Sequence, residues 1–142
     1  MSGSAAIHRE LARLWNQRDF QAMRNLLHPA YTYTGGDGKE MTGPDAGLAI
    51  AQMFANAFPD GKLEVKNVYT EGNIAIAEMI GRGNHKGELM GIGPTDKPVE
   101  IVICNVIELR DGKVYREREY MDMLTMMTQL GVVKAPGTAA GA

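Results

Sequence analysis

Hydrophobic and polar residues alternate with a helical period in the first part of the chain. Apolar residues separated by charged ones predict a helix over residues 4–18. Its apolar positions are Ile7, Leu11, Leu14 and Trp15. Three more helices are indicated by start signals that precede apolar faces. These signals are Asp19, Gly43-Pro44 and Asp122.

A period of two replaces the helical period in much of the remaining chain and predicts β-strands. The predicted strands are residues 31–34, 63–70, 73–83, 99–110 and 114–121. Asp111-Gly112 is a hairpin signal between the last two strands. Residues 84–91 are expected to be extended, and residues 91–98 to form a turn-rich loop.

The order of these elements predicts an α+β fold, because the helices come mostly first and the strands mostly last. A curved antiparallel sheet wrapped around a helix layer would leave a cone-shaped cavity that opens at one end. We expect a single domain over residues 1–133. Residues 134–142, with the sequence KAPGTAAGA, are predicted to be a flexible tail.

Composition narrows the possible functions. Fifteen basic and seventeen acidic residues give a net charge of −2, which argues against a nucleic-acid-binding domain and a polybasic membrane anchor. No apolar run approaches the ~20 residues of a membrane helix. The single cysteine, Cys104, suits a reducing compartment, and we expect a cytoplasmic protein. The three histidines lack metal-ligand spacing, so no metal site is expected.

Asn105 is the polar exception on an apolar strand face. Residues two apart share a face of a strand, and the neighbours of Asn105 on its face are aliphatic. A buried amide needs hydrogen-bond partners. Those partners are either protein groups and buried water or a bound ligand.

Two glutamates on the next strand could join Asn105. The hairpin pairs this strand with the previous one, so Glu117 or Glu119 could point into the same cavity. Two carboxylates on one face repel each other, and one can acquire a raised pKa suited to proton transfer. The alternative is a solvated strand striped with charges.

Other side chains have both structural and functional interpretations. His85, near a strand end, could exchange a proton near neutral pH, although a lone histidine is more often structural. Asp122 is foremost a helix cap, and His8 and His28 look peripheral. An adaptable apolar cavity could be lined by methionines and by Trp15, Tyr31, Phe54 and Phe58.

A set of motifs points to a family. Residues 83–97 match the pattern G-x-H-x-G-x-x-x-G-x-x-P-T-x-(K/R). Further matches, in chain order, are Trp15-Asn16, Asp19-Phe20, Asp111-Gly112-Lys113, Glu119, Asp122 and Gln129-Leu130-Gly131. Together they resemble the SnoaL-like polyketide cyclase family of the nuclear transport factor 2-like superfamily, from about residue 5 to 133. The resemblance implies a cystatin-like cone of helices on a curved antiparallel sheet.

The resemblance also implies an enzyme that needs no metal or cofactor. The studied cyclases close the last ring of an aromatic polyketide ester by intramolecular aldol condensation. Glu119 stands where the family has an acid/base aspartate, and Asn105 stands where it has a histidine. Some members instead hydroxylate polyketides with oxygen, and a non-catalytic ligand-binding module is a third possibility.

The predicted catalytic residues are Glu119, Asn105 and His85. Glu119 would remove a carbon-bound proton, and Asn105 or His85 would hydrogen-bond the enolate oxygen. The predicted substrate-binding residues are Trp15, Tyr31, Phe54, Phe58, Met90, Ile103, Glu117, Met121 and Asp122. The expected partners are an apolar, aromatic polyketide-like small molecule and further copies of the chain, as a homodimer or homotetramer through the sheet. Neither a nucleic acid nor a membrane is expected as a partner.

Overall fold

A computed structural model describes residues 3–134 and residue 137 of the chain. Within these residues the helices are α1 (Ser4–Gln17), α2 (Phe20–Asn25), α3 (Pro44–Ala57) and α4 (Met123–Gln129). The strands are β1 (Leu27–Thr34), β2 (Glu40–Thr42), β3 (Lys62–Glu71), β4 (Ile74–Asn84), β5 (Pro98–Arg110) and β6 (Lys113–Met121). Most of the predicted tail lies outside the described residues, so its flexibility stays a prediction.

The strands form one sheet in the order β2-β1-β6-β5-β4-β3, and the predicted α+β class is confirmed. All neighbouring strands are antiparallel except β1 and β6, which run parallel with Tyr33 opposite Glu117. The expected sheet was antiparallel throughout. The parallel pair arises because β1 and β6 are joined by a long connection rather than by a hairpin.

Two local predictions need correction. Strand β1 begins at Leu27, earlier than the predicted residue 31. The predicted extension of residues 84–91 is wrong, because β4 ends at Asn84 and the chain turns beneath α3. There the backbone N–H groups of Lys86 and Gly87 donate to the carbonyl oxygen of Ala57 at 3.0 and 3.1 Å. A Cβ atom at position 87 would lie 2.2 Å from a backbone oxygen of α3, so this turn requires glycine.

A β-bulge in β6 determines which of its side chains face the helices. The register between β5 and β6 shifts between Glu108 and Leu109, and Tyr115 is the extra residue. Val114 is buried on the near side of the bulge, and the inward positions switch to odd numbers beyond it. The bulge therefore turns the two odd-numbered glutamates of β6 toward the same side as Val114.

Helices α1 and α3 cover the concave side of the sheet. The indole N–H of Trp15 donates to the carbonyl oxygen of Ala51 at 3.0 Å and ties the two helices together. The side chains of Asp19 and Asp122 accept hydrogen bonds from the backbone N–H groups of Ala22 and Thr125, so both predicted helix caps are confirmed.

The opposite face of the sheet carries exposed apolar side chains. They include Tyr69, Ile76, Val102 and Tyr120. In the described part of the chain, none of the helices has both the length and the apolar character needed to cross a membrane.

Candidate active site

An apolar cavity of about 140 Å³ lies between the helices and the concave face of the sheet. An engineered cavity of about 150 Å³ in another protein is large enough to bind benzene. Helix α1 contributes one face, with side chains spaced three or four residues apart. Of the predicted substrate-binding residues, those that line the cavity are Trp15, Tyr31, Phe54, Phe58, Ile103, Glu117 and Met121.

Asn105 holds two carboxylates together at the cavity wall. Its side chain is 2% exposed, and its amide nitrogen donates to Glu117 Oε2 at 2.8 Å and to Glu119 Oε2 at 3.0 Å. Since a primary amide has two N–H groups, these two contacts use its donor capacity. The sequence predicted that Glu117 or Glu119 could join Asn105, and in the structure both glutamates do.

Two tyrosines of β1 complete this group of side chains. The hydroxyl of Tyr31 donates to Glu117 Oε1 at 2.5 Å, and that of Tyr33 donates to Glu119 Oε1 at 3.0 Å. We call these five residues the carboxylate network: Tyr31, Tyr33, Asn105, Glu117 and Glu119. The parallel pairing of β1 with β6 brings the tyrosines beside the glutamates.

The environment of Glu119 raises its pKa to about 7. Burial is the main cause, and the negative charge of Glu117 acts in the same direction. Hydrogen bonds from Asn105 and Tyr33 act in the opposite direction. Burial and the neighbouring carboxylates raise the pKa values of Tyr31 and Tyr33, so both remain protonated donors at neutral pH. Glu119 is thus matched to taking and returning a proton near pH 7.

Three predicted site residues lie away from the cavity lining, and these predictions of position are corrected. Met90 is 53% exposed, in a turn after β4. Asp122 is exposed and accepts hydrogen bonds from Thr125 at the start of α4. His85 is buried, but beyond the end of β4, where its ring packs against Phe58 at a centroid distance of 5.6 Å.

His85 instead takes part in the fold of its own loop. Its Nδ1 accepts the backbone N–H of Thr95 at 3.1 Å and lies 3.0 Å from the hydroxyl of the same residue. Its backbone N–H donates to Lys97 O, and its carbonyl oxygen accepts from the N–H of Asp96, both at 2.9 Å. The same turn that directs Lys86 and Gly87 beneath α3 carries His85 away from the site.

The cavity residues that sequence reasoning missed include two with polar groups close to Glu119 or Asn105. Tyr33 has the period-two spacing from Tyr31 that could have revealed it. His8 was considered peripheral, yet it is 3% exposed, lines the cavity and has Nε2 3.0 Å from the backbone oxygen of Asn105. The helical spacing of α1 could have predicted this position, because it places His8 on the same face as Leu11 and Trp15.

Among residues 3–134 and 137, no group of three or more His, Cys, Asp and Glu side chains is arranged to hold a metal ion.

An α+β fold around an apolar cavity, with a buried carboxylate pair on its wall, is typical of proteins that bind small apolar molecules. The model of the SnoaL-like polyketide cyclase family matches residues 5–130, and the chain belongs to that family. The resemblance seen in the sequence motifs is thereby confirmed.

Relatives and solved structures agree with this assignment. The chain is 23% identical over 133 residues to the aklanonic acid methyl ester cyclase AcmA of Streptomyces galilaeus, with 92% of each chain covered. It resembles the structure of IdmH, a candidate polyketide cyclase of Streptomyces antibioticus, with a TM-score of 0.80, 25% identity and coverage of 92% of this chain and 99% of that one. For AclR, a candidate hydroxylase of Streptomyces galilaeus, the TM-score is 0.83 at 24% identity, with 93% of this chain and 83% of that one covered.

Proposed function

We propose that this chain is a cofactor-independent polyketide cyclase that closes a ring of an aromatic polyketide ester by intramolecular aldol condensation. The observation that carries the proposal is Glu119, whose pKa of about 7 and contact with Glu117 through Asn105 suit reversible proton transfer in an apolar cavity. The relative AcmA is named for cyclising a methyl ester, which supports an ester substrate.

In the proposed reaction, ionised Glu119 removes a proton from a carbon next to a carbonyl group. The resulting carbanion attacks a second carbonyl carbon of the same molecule, and a carbon–carbon bond forms. The oxygen of that second carbonyl takes up a proton, which the newly protonated Glu119 can supply. The product is an isomer of the substrate, because the proton removed is balanced by the proton returned.

Asn105 takes a different part from the one predicted for it. Both of its N–H groups are donated to Glu117 and Glu119, so they are not free for an enolate oxygen. We assign Asn105 the positioning of the two carboxylates. We assign stabilisation of the developing oxyanion to Tyr33: its hydroxyl donates to Glu119 at 3.0 Å in the resting site and can turn to the oxyanion once Glu119 has taken up the substrate proton.

The apolar wall contributes orientation. Trp15 and Phe58 lie on the cavity surface, and Trp15 is fixed by its hydrogen bond to α3. A flat conjugated substrate that inserts its reacting ring into this space has few conformations, so its two reacting carbons spend more time in contact.

Hydroxylation is the second candidate function. The fold resembles that of AclR, a candidate hydroxylase, and the carbanion formed by Glu119 could react with dioxygen instead of a carbonyl group, giving a hydroperoxide that loses water and leaves one new carbonyl oxygen on the carbon. Both reactions begin with the same proton transfer. They differ in their dependence on oxygen and in the mass of the product.

Mass spectrometry of products tests these alternatives. The pure protein would be incubated with aromatic polyketide methyl esters, with and without oxygen, beside Glu119→Gln. The matched control is Glu71→Gln, at an exposed glutamate of β3. A product of unchanged mass that is lost only in Glu119→Gln supports ring closure. A product that gains an oxygen atom only in air supports the hydroxylase, and tight binding without turnover supports a binding module.

We also propose a homodimer or homotetramer formed through the exposed face of the sheet. Tyr69, Val102 and Tyr120 are 56%, 61% and 52% exposed there, and such apolar patches are typical of interfaces. Light scattering should give the mass of two or four chains, and Val102→Lys should yield monomers. A monomeric wild-type protein at micromolar concentration would contradict the proposal.

A further inference from the structure

His8 and Asn105 have an unusual property in common. Both line the cavity, and their side chains are 3% and 2% exposed. Each has a buried polar atom, His8 Nδ1 and Asn105 Oδ1, that finds no hydrogen-bond partner within the described part of the chain, where His85 Nε2 in the loop after β4 is a third such atom. Buried polar atoms are satisfied in most proteins, so two such atoms on contacting residues call for an explanation.

The contacts of these residues determine the chemical character of the two atoms. His8 Nε2 lies 3.0 Å from the backbone oxygen of Asn105, and a carbonyl oxygen can only accept. Nε2 therefore carries the proton, which leaves Nδ1 of the neutral ring as an acceptor. The amide nitrogen of Asn105 donates to Glu117 and Glu119, so its Oδ1 is an acceptor as well.

The position of the pair makes a substrate the natural partner. Asn105 is in direct contact with Glu119, the proposed base, so a group bound to its Oδ1 is close to the reacting carbon. His8 is on α1, whose inward stripe continues through Leu11 to Trp15 along the apolar wall. An aromatic ring lying along this stripe could present polar substituents to both acceptors.

We propose that His8 Nδ1 and Asn105 Oδ1 form a subsite in which each atom accepts a hydrogen bond from a phenolic or enolic hydroxyl group of the substrate, a single hydroxyl donating to His8 Nδ1. The subsite orients the ring so that its acidic carbon faces Glu119. It selects hydroxylated rings, because a hydroxyl pairs a buried acceptor that a ring without one leaves unpaired. This inference rests on the proposed function for the class of substrate, but its test does not depend on turnover.

Two single-ring probes test the subsite directly. p-Cresol and p-xylene differ by a hydroxyl in place of a methyl group, and one ring suits a cavity of about 140 Å³. Calorimetric titration gives the ratio of their affinities for each protein. p-Cresol and p-xylene differ in their free energy of transfer from water. Comparing the affinity ratio between wild type and variants cancels that difference.

Two substitutions at His8 separate the acceptor role of Nδ1 from the structural contact that Nε2 makes with the backbone of Asn105. His8→Asn keeps an acceptor near the position of Nδ1 but loses the donor to the backbone of Asn105. His8→Gln keeps a donor near the position of Nε2 but loses the Nδ1 acceptor. If the subsite exists, His8→Gln lowers the preference for p-cresol about fivefold, and His8→Asn retains most of it. If His8 had only a structural role, His8→Asn would lower the preference for p-cresol more than His8→Gln.

The failures of the two proposals can be told apart. A cresol preference that stays within about twofold in both variants overturns the subsite and indicates a buried water on the acceptors. The absence of saturable p-cresol binding to the wild-type protein also overturns it. An intact preference together with no ring closure by the wild type overturns the proposed function alone. Thermal unfolding of each variant checks that the fold is retained, and His8→Phe is a second variant that lacks the acceptor.

Discussion

Two polar regions of this molecule differ in what they do. One is the carboxylate network on the cavity wall, and the other is the loop of residues 85–97, which carries the family motif. His85 is fully buried in the loop, and its ring contacts Thr95 only ten positions away in the chain. Glu119 in the network contacts Tyr33 and Asn105, which lie on two other strands.

The comparison shows that a conspicuous sequence motif and the proposed reactive site need not coincide. The motif of the loop satisfies local demands, such as the glycine at position 87 that passes beneath α3. The network has no compact motif, because its members come from separate strands. Its chemistry depends on burial and on neighbouring charge, which raise the pKa of Glu119 to about 7.

The largest expected effect comes from removing the carboxyl group of Glu119 from the carboxylate network. Glu119→Gln keeps the size of the side chain but cannot take up a proton, so kcat should fall by about 10²–10⁴-fold. Steady-state kinetics measure the loss, and circular dichroism checks the fold. Glu71→Gln should keep wild-type kcat. A Glu119→Gln variant within threefold of wild type would mean that the network does not supply the base.

Changing the loop should affect the fold and not the chemistry. His85→Ala removes a fully buried ring and leaves the N–H of Thr95 without its acceptor, so it should lower the free energy of unfolding by about 2–4 kcal/mol. Urea denaturation measures this change. His85→Asn, which keeps an acceptor near Nδ1, should lose less.

The activity of the His85 variants then separates the two regions. With activity expressed per folded molecule, kcat for His85→Ala should remain within about threefold of wild type. A drop of a hundredfold in a folded His85→Ala protein would return His85 to the catalytic role predicted from the sequence.

The network should also leave a mark on the pH dependence of stability. The pKa of Glu119 is about 7 in the folded state and near its ordinary value of 4.5 in the unfolded state. Between these values the folded state binds more protons, so the free energy of unfolding should fall as pH rises from about 4.5 to about 7. The fall could reach about 3 kcal/mol, and the contribution is level outside that window.

Denaturation of wild type and Glu119→Gln over a pH series isolates this contribution. The variant carries no charge at position 119, so it should gain stability relative to wild type as pH rises through the window. Equal slopes for the two proteins would show that the carboxyl group of Glu119 titrates normally.

The two regions also differ in how well the sequence predicted them. Local patterns sufficed for α1, for the caps at Asp19 and Asp122, and for the β5–β6 hairpin. The alternation along β5 correctly placed Asn105 on the buried face. These features depend on residues close together in the chain, where periodicity and capping chemistry act.

The missed features depend on distant residues. No local pattern specifies that β1 pairs with β6 in parallel, which brings Tyr33 opposite Glu117. His8 looked peripheral because its position in the site depends on contact with the backbone of Asn105, which is 97 positions away in the chain. Met90 lies within the motif and was predicted to bind substrate, yet its positive φ of 48° belongs to a tight turn at the surface.

The smallest effect is expected at Met90 in the loop. Met121 lies on the cavity wall, so the same Met→Ala truncation can be compared in the two regions. Met90 is 53% exposed, so Met90→Ala should change the free energy of unfolding by less than about 0.5 kcal/mol and leave kcat/KM unchanged. Met121→Ala makes the same truncation on the cavity wall and should lower kcat/KM about tenfold, because apolar contact with the substrate is lost. Kinetics on both variants decide the matter. If Met90→Ala were the more damaging of the two, the loop would reach the substrate, and the separation between loop and network would fail.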